Sequence, residues 1–223
     1  PLDLYTDVTQ ALLGLDRPGE VSAPPRLKKV LADDLRGFSF AAFVADPCDF
    51  LHIGSTAQFR DVFTSGGPAA RLHSFKTRLN CAVAGAEVSE QAVVQDSIIG
   101  AGCRIEARAV VQDCRIAGAR LGAGSVCIGV CNGETPFDLP PDETLVRVPV
   151  SEGVGAGHFA LMNFGVCDDP KKPVLFGAPL EKWADFVGAR AEDIWAGRAE
   201  PLERCLWNAC IFPVIDRTDE IAA

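Results

Sequence analysis

A spacing of five or six residues between aliphatic side chains constrains the middle of this chain more than any other feature. The series is Val88, Val94, Ile99, Ile105, Val111, Ile116, Leu121 and Cys127. Neither an amphipathic helix nor a simple pair of strands has this period. It is typical of a parallel β-helix, in which each flat side is a short strand. One aliphatic side chain per side then stacks on its equivalent in the next coil.

Small residues follow many of these aliphatic positions, as tight corners require. Gly100 and Gly102 follow Ile99, and glycine accepts the positive φ of a sharp turn. We expect QDSIIG at 95–100 and QDCRIAG at 112–118 to form the same side of the coil, one turn apart. The alternative is a strand-rich meander with chance spacing. Because repeat architectures need about three units, the flanking sequence must cover the ends of this short repeat.

Composition limits the class of protein and its partners. With 223 residues, 48% of them hydrophobic, the chain can bury the core of one large or two small domains. It has no membrane-length apolar run and no basic segment that would start a signal peptide, so we expect a cytoplasmic protein without a membrane span. The net charge of −9 argues against nucleic acid as a partner, although a local basic pocket can still bind a phosphorylated small molecule.

The cysteines and the single methionine add two expectations. Nine cysteines without a CxxC pair indicate reduced thiols, and those inside the repeat act as small apolar residues. The sequence does not begin with methionine and its only methionine is Met162, so we expect a fragment, a processed product or part of a longer polypeptide.

The sequence before the repeat predicts helices and short strands. Leu2 to Leu15 and Arg26 to Leu35 have helical patterns, and Phe38 to Val44 and Phe50 to Ile53 are typical of strands. A further helix is expected from Thr56 to Phe63, with Ser55 or Thr56 as its N-cap.

The sequence after the repeat predicts a second set of elements. The Pro-rich and acidic segment 132–143 is expected to be a loop that ends the coil. The elements expected beyond it are strands at 144–150 and 159–166, helices at 180–187 and from 191, and a buried strand or extended segment at 206–214.

Four stretches outside the repeat carry a resemblance to a known family. They are FLHIGSTAQF at 50–59, MNFGVCDDPKKPV at 162–174, FGAPLEKW at 176–183 and LWNACIFPV at 206–214. With the intervening coil they resemble the fucose-1-phosphate guanylyltransferase family, in particular its plant-type bifunctional L-fucokinase/GDP-fucose pyrophosphorylases. The family makes GDP-L-fucose from GTP and L-fucose 1-phosphate.

The resemblance implies a mostly β fold, a left-handed parallel β-helix flanked by α/β segments. Residues 1–79 would be the C-terminal remnant of a nucleotidyltransferase-like α/β domain, and residues 80–131 the β-helix. Residues 132–223 would form a strand and helix segment that packs on it. The left hand follows from the resemblance alone, because ordinary parallel crossovers are right-handed.

The resemblance also implies substrates and a cofactor. They are GTP, L-fucose 1-phosphate and Mg²⁺. The chain has no GxxxxGK[ST] motif, and no glycine-rich loop opens a helix after the first predicted strand. We therefore assign it no catalytic residue and no metal ligand, and expect both in other parts of the parent enzyme. The alternative is a non-catalytic scaffold that uses the β-helix to form a homo-oligomer or to dock an assembly partner.

Six residues are candidates for contact with a sugar or a phosphate. His52 directly precedes a predicted turn and helix, where the backbone N–H groups of Gly54, Ser55 and Thr56 would face an anion. Lys171 and Asn208 lie in two of the family-like motifs. Each residue also has a structural alternative: a core histidine, a glycine needed for its turn, an exposed lysine, or an asparagine bound to backbone.

Two positions depart from the family pattern. The family has Asp-Asn-Pro-Lys where this chain has Asp168-Asp169-Pro170-Lys171, and an arginine or lysine where it has Cys210. A third class of function, a hexapeptide acyltransferase or γ-type carbonic anhydrase, needs a histidine within the coils. The repeat contains none.

Overall fold

The chain was examined as a computed structural model, which describes residues 7–13, 24–39, 41, 43, 53–64, 76–133, 135–150, 158–196 and 204–215. It divides into two compact units, Pro1–Phe50 and Leu51–Ala223. The first contains helices α1 (Thr9–Leu13) and α2 (Pro25–Leu35), which contact each other. The second helix is as predicted, whereas the described residues of the two predicted strands at 38–44 and 50–53 belong to no strand.

The second unit is mostly β. Its helices are α3 (Thr56–Phe63), α4 (Leu180–Val187) and α5 (Ala191–Trp195), with a 3₁₀ turn at Leu206–Asn208. Its strands are β1 (Arg78–Leu79), β2 (Ala82–Val83), β3 (Glu87–Val88), β4 (Val93–Gln95), β5 (Ile98–Ile99), β6 (Arg104–Ile105), β7 (Val110–Gln112), β8 (Arg115–Ile116), β9 (Arg120–Leu121), β10 (Val126–Ile128), β11 (Asp138–Leu139), β12 (Glu143–Pro149), β13 (Phe159–Gly165), β14 (Val174–Leu175), β15 (Ala178–Pro179) and β16 (Val214–Ile215). No described helix has the length and apolar character needed to cross a membrane.

The repeat forms a parallel β-solenoid of about four turns, as predicted. One side is the parallel stack β1-β4-β7-β10-β12, which we call sheet A. The other two sides are β2-β5-β8 and β3-β6-β9-β11. In the second side Ile99 pairs with Ile116, so the two QD segments do form the same side one turn apart. The left hand stays an expectation.

The aliphatic series fills the interior of the solenoid. Its members from Val94 to Cys127 are all buried in one core cluster, and Val88 packs against that cluster. Cys114 and Cys127 stack in this core with their sulfur atoms 3.8 Å apart, so these free thiols act as small apolar side chains. The spacing thus predicted the inward-facing positions correctly.

The corners of the coil use more than glycine. One corner has Gly85, Gly102 and Gly118, whose φ angles lie between 65° and 75°. The corner between sheet A and the second side is formed instead by Asn80 and Asp96, with φ of 47° and 48°. The side-chain amide of Asn80 donates to the Asp96 carboxylate at 3.0 Å. Asn and Asp tolerate the left-handed region because their short polar side chains bond locally.

The solenoid continues beyond residue 131. The segment predicted to be a loop, 132–143, contains β11, which pairs in parallel with β9. β12 then adds a rung to sheet A by pairing in parallel with β10. After it the pairing changes, since β12 and β13 are antiparallel. The boundaries of the three regions stay a prediction, but the stack is longer than the aliphatic series alone indicates.

The side chain of Asn132 replaces part of a strand at the end of the second side. Asn132 is fully buried. Its Oδ1 accepts from the Ala117 N–H at 3.1 Å, and its Nδ2 donates to the carbonyl oxygens of Ala117 and Thr135 at 2.8 and 2.6 Å. These bonds satisfy backbone groups that have lost a neighbouring strand.

Helix α3 covers the outer face of sheet A. Because sheet A has aliphatic side chains on both faces, its outer valines need a cover. These valines are Val93, Val110 and Val126, and they form a second buried cluster with Val166. Ala57, Phe59 and Phe63 of α3 pack against this cluster. The helix therefore lies on the sheet through its apolar face.

Ion pairs hold α3 at a corner of the solenoid. Arg60, which is 8% exposed, pairs with Asp142 at 2.6 Å and with Asp61 at 2.8 Å. Arg108 pairs with the same Asp61 carboxylate at 3.0 Å. The hydrogen bond from Arg60 is the main cause of a lowered pKa of Asp61. Burial opposes it, and the charges of Arg60 and Arg108 add to the lowering.

The region after β12 has its own core. Met162 and Phe164 of β13 pack with residues of α4, α5 and the 3₁₀ turn, among them Leu180, Trp195 and Leu206. The helices predicted at 180–187 and from 191 are confirmed. The segment 206–214 is different from the prediction: it begins as a 3₁₀ turn, and only Val214 belongs to a strand.

Replacing Asn132 with alanine should destabilise the second unit. The substitution leaves the part-buried N–H and C=O groups of Ala117 without the Asn132 side chain, which costs about 1–3 kcal/mol of the free energy of unfolding. Urea denaturation of the wild type, Asn132→Ala and the exposed control Gln91→Ala measures the effect. An Asn132→Ala loss no larger than that of the control would contradict this role.

The ion pairs of Asp61 should stabilise the fold only above acidic pH. A carboxyl group whose pKa is lower in the folded state stabilises it above its unfolded pKa, which is about 4. This contribution is lost as the pH falls through the lower, folded pKa. Since Asp61 is largely exposed, we expect Asp61→Asn to lose about 0.5–1 kcal/mol of unfolding free energy at pH 7 and progressively less as the pH falls below about 4.

The measurement is the difference in unfolding free energy between wild type and Asp61→Asn across this pH range. Asp185→Asn, which removes a carboxylate at an exposed position of α4, is the matched control. A difference for Asp61→Asn that stays constant with pH would rule out the ion pairs as its cause.

Candidate functional site

Most of the residues proposed from sequence meet at one cavity of about 350 Å³, which we call the α3 pocket. Its first wall is the N-terminal end of α3 with the residues before it: Ile53, Gly54, Ser55, Thr56 and Phe59. Its floor is formed by Ile128 of β10, Thr144 and Val146 of β12, and Phe164 of the adjacent strand β13. Its second wall is formed by a loop and the 3₁₀ turn: Asp169, Pro170, Lys171 and Trp207.

The N-terminal end of α3 has the local structure that its sequence predicts. Ser55 has an extended backbone, and its Oγ accepts from the Gln58 N–H at 3.2 Å, so it is the N-cap. The side chain of Gln58 in turn accepts from the Gly54 N–H at 2.8 Å, so this N–H does not face an anion as we expected from the sequence. The N–H groups of Thr56 and Ala57, in the first turn, have no acceptor within the helix and carry its partial positive charge.

A buried carboxylate shapes the loop that carries Lys171. Asp168 is 4% exposed. Its Oδ2 accepts from the N–H groups of Gly165 and Phe176, both at 2.7 Å, and its Oδ1 accepts from Gly177 at 2.8 Å. Asp168 thus ties the end of β13 to the turn of the β14–β15 hairpin. It is a structural residue and no part of the pocket wall.

Asp169 organises the next turn of the same loop. Its Oδ1 accepts from the Lys171 N–H at 3.0 Å, and its carboxylate lies 3.9 Å from the ammonium of Lys172. The family's asparagine offers the same oxygen for the bond to backbone, so this departure preserves the turn. The negative charge that aspartate adds is offset by Lys172.

Two backbone bonds place Trp207 beside residues 169–172, which we call the lysine loop. The N–H of Trp207 donates to the Pro170 carbonyl at 3.1 Å. The N–H of Leu206 donates to the Lys172 carbonyl at 3.0 Å. The indole of Trp207 is 53% exposed at the edge of the pocket. The motif at 206–214 therefore contributes to the pocket through Trp207.

The other sequence candidates lie elsewhere. Asn208 belongs to the 3₁₀ turn but is absent from the pocket wall, and its backbone N–H donates to the Cys205 carbonyl at 3.0 Å. His52 lies outside the described residues. Cys210, the second departure from the family, is exposed and also lies outside the pocket.

Thr144, like Trp207, is a pocket residue that sequence analysis did not single out. It is 2% exposed, and its Oγ1 has no hydrogen-bond partner among the described residues. Its register partner on β10 is Val126, which follows Val110 and Val93 on the outer face of sheet A. Burying a hydroxyl without a partner costs about 1–3 kcal/mol of the free energy of unfolding, and a valine at this position would avoid that cost. The signal in the sequence is the threonine at the position where a valine would have continued the column.

The pocket combines groups that suit a small anionic ligand. The N-terminal end of α3 and Lys171 attract negative charge, while Phe164, Val146 and Trp207 offer apolar surface. Lys171 has no ion-pair partner in the part of the chain that the structure describes. Those same residues include no group of three or more histidine, cysteine or acidic side chains that could hold a metal ion. We therefore derive no step through Mg²⁺ in this chain.

Two larger depressions lie over the repeated sides of the solenoid. One, of about 940 Å³, includes the Asn80–Asp96 corner and Arg115; the other, of about 760 Å³, includes the row Glu87, Arg104, Arg120 and Asp138. In this row two arginines are flanked by acids in register, so its charges are balanced. Neither depression contains any of the residues proposed from sequence.

Replacing Asp168 should loosen the lysine loop more than replacing its neighbour. Asp168→Asn keeps one acceptor oxygen but turns an amide N–H₂ towards backbone donors, which should cost about 1.5–3 kcal/mol of unfolding free energy. Asp169→Asn retains the oxygen that binds the Lys171 N–H and should change stability by less than about 0.5 kcal/mol. Chemical denaturation of both variants checks this, and equal losses would contradict it.

Comparisons with known proteins agree with the resemblance. The Fucose pyrophosphorylase domain family matches residues 1–217. The bifunctional fucokinase/GDP-fucose pyrophosphorylase of Arabidopsis thaliana is 27% identical over 233 residues, which cover 96% of this chain and 21% of that protein. The chain thus spans about a fifth of the length of this curated relative. No solved structure matches the chain. With its solenoid and its family-like motifs in place, the chain belongs to the fucose pyrophosphorylase domain family.

Proposed function

We propose that this chain is part of a nucleotidyltransferase that makes GDP-L-fucose from GTP and L-fucose 1-phosphate. The observation that carries the proposal is the match of the Fucose pyrophosphorylase domain family to residues 1–217. The bifunctional fucokinase/GDP-fucose pyrophosphorylase to which the chain is similar supports the same reaction.

In this reaction the phosphate of the sugar attacks the α-phosphorus of GTP in line, and pyrophosphate leaves. Correct placement of two anionic substrates supplies much of the rate, and positive groups must offset their charge. This chain would contribute the α3 pocket, where the first turn of α3 and Lys171 accept an anionic group. Mg²⁺, which supplies charge neutralisation at the phosphates when bound, would be held by residues outside those described here.

The solenoid would serve as the rigid support for this pocket. Sheet A provides the floor, and the Arg60 ion pairs hold the helix that forms one wall. A site whose walls stand on stacked strands keeps its geometry better than one made only of loops. The proposal thus gives the solenoid a role in substrate placement.

The first experiment compares two proteins in a pyrophosphate-release assay with GTP, Mg²⁺ and L-fucose 1-phosphate. One is the purified 223-residue chain, and the other is the longest native polypeptide that contains it. We expect turnover by the long protein and none above background by the chain, because the chain lacks a glycine-rich phosphate loop.

Two controls make the result specific. Omitting L-fucose 1-phosphate should abolish pyrophosphate release, and GDP-L-fucose should appear in equal amount to pyrophosphate. Absence of turnover by the long protein would contradict the proposal and favour the scaffold alternative. Turnover by the chain alone would contradict its status as a part of the enzyme.

A further inference from the structure

The first rung of the solenoid, formed by β1, β2 and β3, has a free edge on all three of its sides. Each of these strands pairs with one strand of the next rung and, among the described residues, with no other strand. A free edge presents unpaired backbone N–H and C=O groups, to which a strand of another chain can pair. Since a second copy of this chain carries the same edge, two copies could associate at this end of the solenoid.

Two apolar side chains at this end are more exposed than their equivalents in the next rung. Val83 stacks on Ile99, and Val88 stacks on Ile105. Ile99 and Ile105 are at most 2% exposed, whereas Val83 is 43% exposed and Val88 is half-buried. The apolar interior of the solenoid is therefore partly open at the first rung, and covering it would favour association.

The third inward position of the first rung holds an arginine instead of an aliphatic residue. Arg78 is in register with Val94, which pairs with Val111 on the inner face of sheet A. The Nη2 group of Arg78 donates to the Ser89 carbonyl at 2.7 Å, and its Nη1 group donates to the Ala92 carbonyl. Both carbonyls belong to the segment between β3 and β4, which joins the first rung to the second. Arg78 thus bonds the start of the first turn of the solenoid to its end.

The guanidinium also places a charge at this end, and no described acidic side chain lies within ion-pair distance of it. Burial lowers the pKa of Arg78, and the nearby Cys81 thiol offsets this only in part. An arginine nevertheless keeps its proton in a protein, so the charge is permanent. If two copies met first rung to first rung, their guanidinium groups would approach each other in a partly dry contact, where like charges repel more strongly than in water.

The opposite end of sheet A is closed by pairing. β13 pairs with β12 in antiparallel fashion over seven residue pairs, so β12 is not an edge strand. A second copy therefore cannot stack its first rung on β12 to extend sheet A. The contact of two first rungs is the association that remains to be prevented along this sheet.

We infer that Arg78 is an end cap that keeps a second copy of this chain from pairing with the first rung of the solenoid. Its hydrogen bonds close the first turn, and its charge opposes a second copy that carries the same arginine. This role concerns association and is independent of the proposed function. A homo-oligomer of the kind expected under the scaffold alternative would have to use another surface.

The test is the association state of the 223-residue chain, measured by analytical ultracentrifugation over an about hundredfold range of protein concentration. Arg78→Met removes the charge and leaves an apolar side chain at the open end. We expect it to self-associate at least about tenfold more tightly than the wild type. Arg115→Met is the matched control, since it exchanges an exposed arginine in the last strand of the second side for the same methionine. It should keep the association state of the wild type.

Two further variants distinguish association through this end from misfolding. Adding Val83→Lys to Arg78→Met restores a charge at the same end, where a lysine can extend its ammonium into water, and should return the protein to the wild-type association state. Arg78→Lys keeps the charge but lacks the planar set of donors, so it should melt at a lower temperature without associating more tightly. In Arg78→Met, hydrogen exchange at residues 78–88 should slow as the protein concentration rises.

Three outcomes would overturn the inference. They are an Arg78→Met protein that is folded and associates no more than the wild type, association that persists when Val83→Lys is added, and wild-type protein whose hydrogen exchange at 78–88 already slows with concentration. If Arg78→Met does not fold, Arg78→Gln is used in its place, because its amide still donates to a carbonyl but carries no charge. Folded Arg78→Gln that associates as the wild type does would likewise reject the role of the charge.

Discussion

Sheet A has apolar side chains on both faces, and the rest of the second unit depends on how each face is covered. Its inner face closes the solenoid core, where Val94, Val111 and Cys127 stack. Its outer face cannot remain in water without losing the free energy of burying the valine column. Helix α3 supplies the cover, and Arg60 fixes it at the corner through Asp142. The position of the helix N-terminus, and so of the pocket, follows from this requirement.

The repeat could be predicted from sequence because one aliphatic residue per side must face inward in every turn. That period placed Ile99 above Ile116, as the structure has it. It could not show that the solenoid continues through β11 and β12, since Pro-rich sequence there is equally typical of a loop. Nor could it show the Asn and Asp corners, because these residues have many other roles in turns.

The candidate site was predictable in part, for a similar reason. Ser55 was recognisable as an N-cap because its chemistry is local, and Lys171 because it lies in a family-like motif. Thr144 and Trp207 become neighbours only when β12 pairs with β10 and the 3₁₀ turn bonds to the lysine loop. Such long-range contacts leave no spacing in the sequence. Asn208, the candidate from this motif, lies outside the pocket wall, and its neighbour Trp207 lines it instead.

The pocket lies where the repeat stops, and this has a physical reason. Inside the stack each rung is covered by the same kind of residue above and below, so successive turns offer nearly identical surfaces. At β12 the pairing changes from parallel with β10 to antiparallel with β13, and the column of valines ends in Thr144. The rung that ends the repeat therefore meets three unlike neighbours: α3, the lysine loop and the 3₁₀ turn. A concave surface unlike those along the repeated sides can therefore form at this end of the valine column.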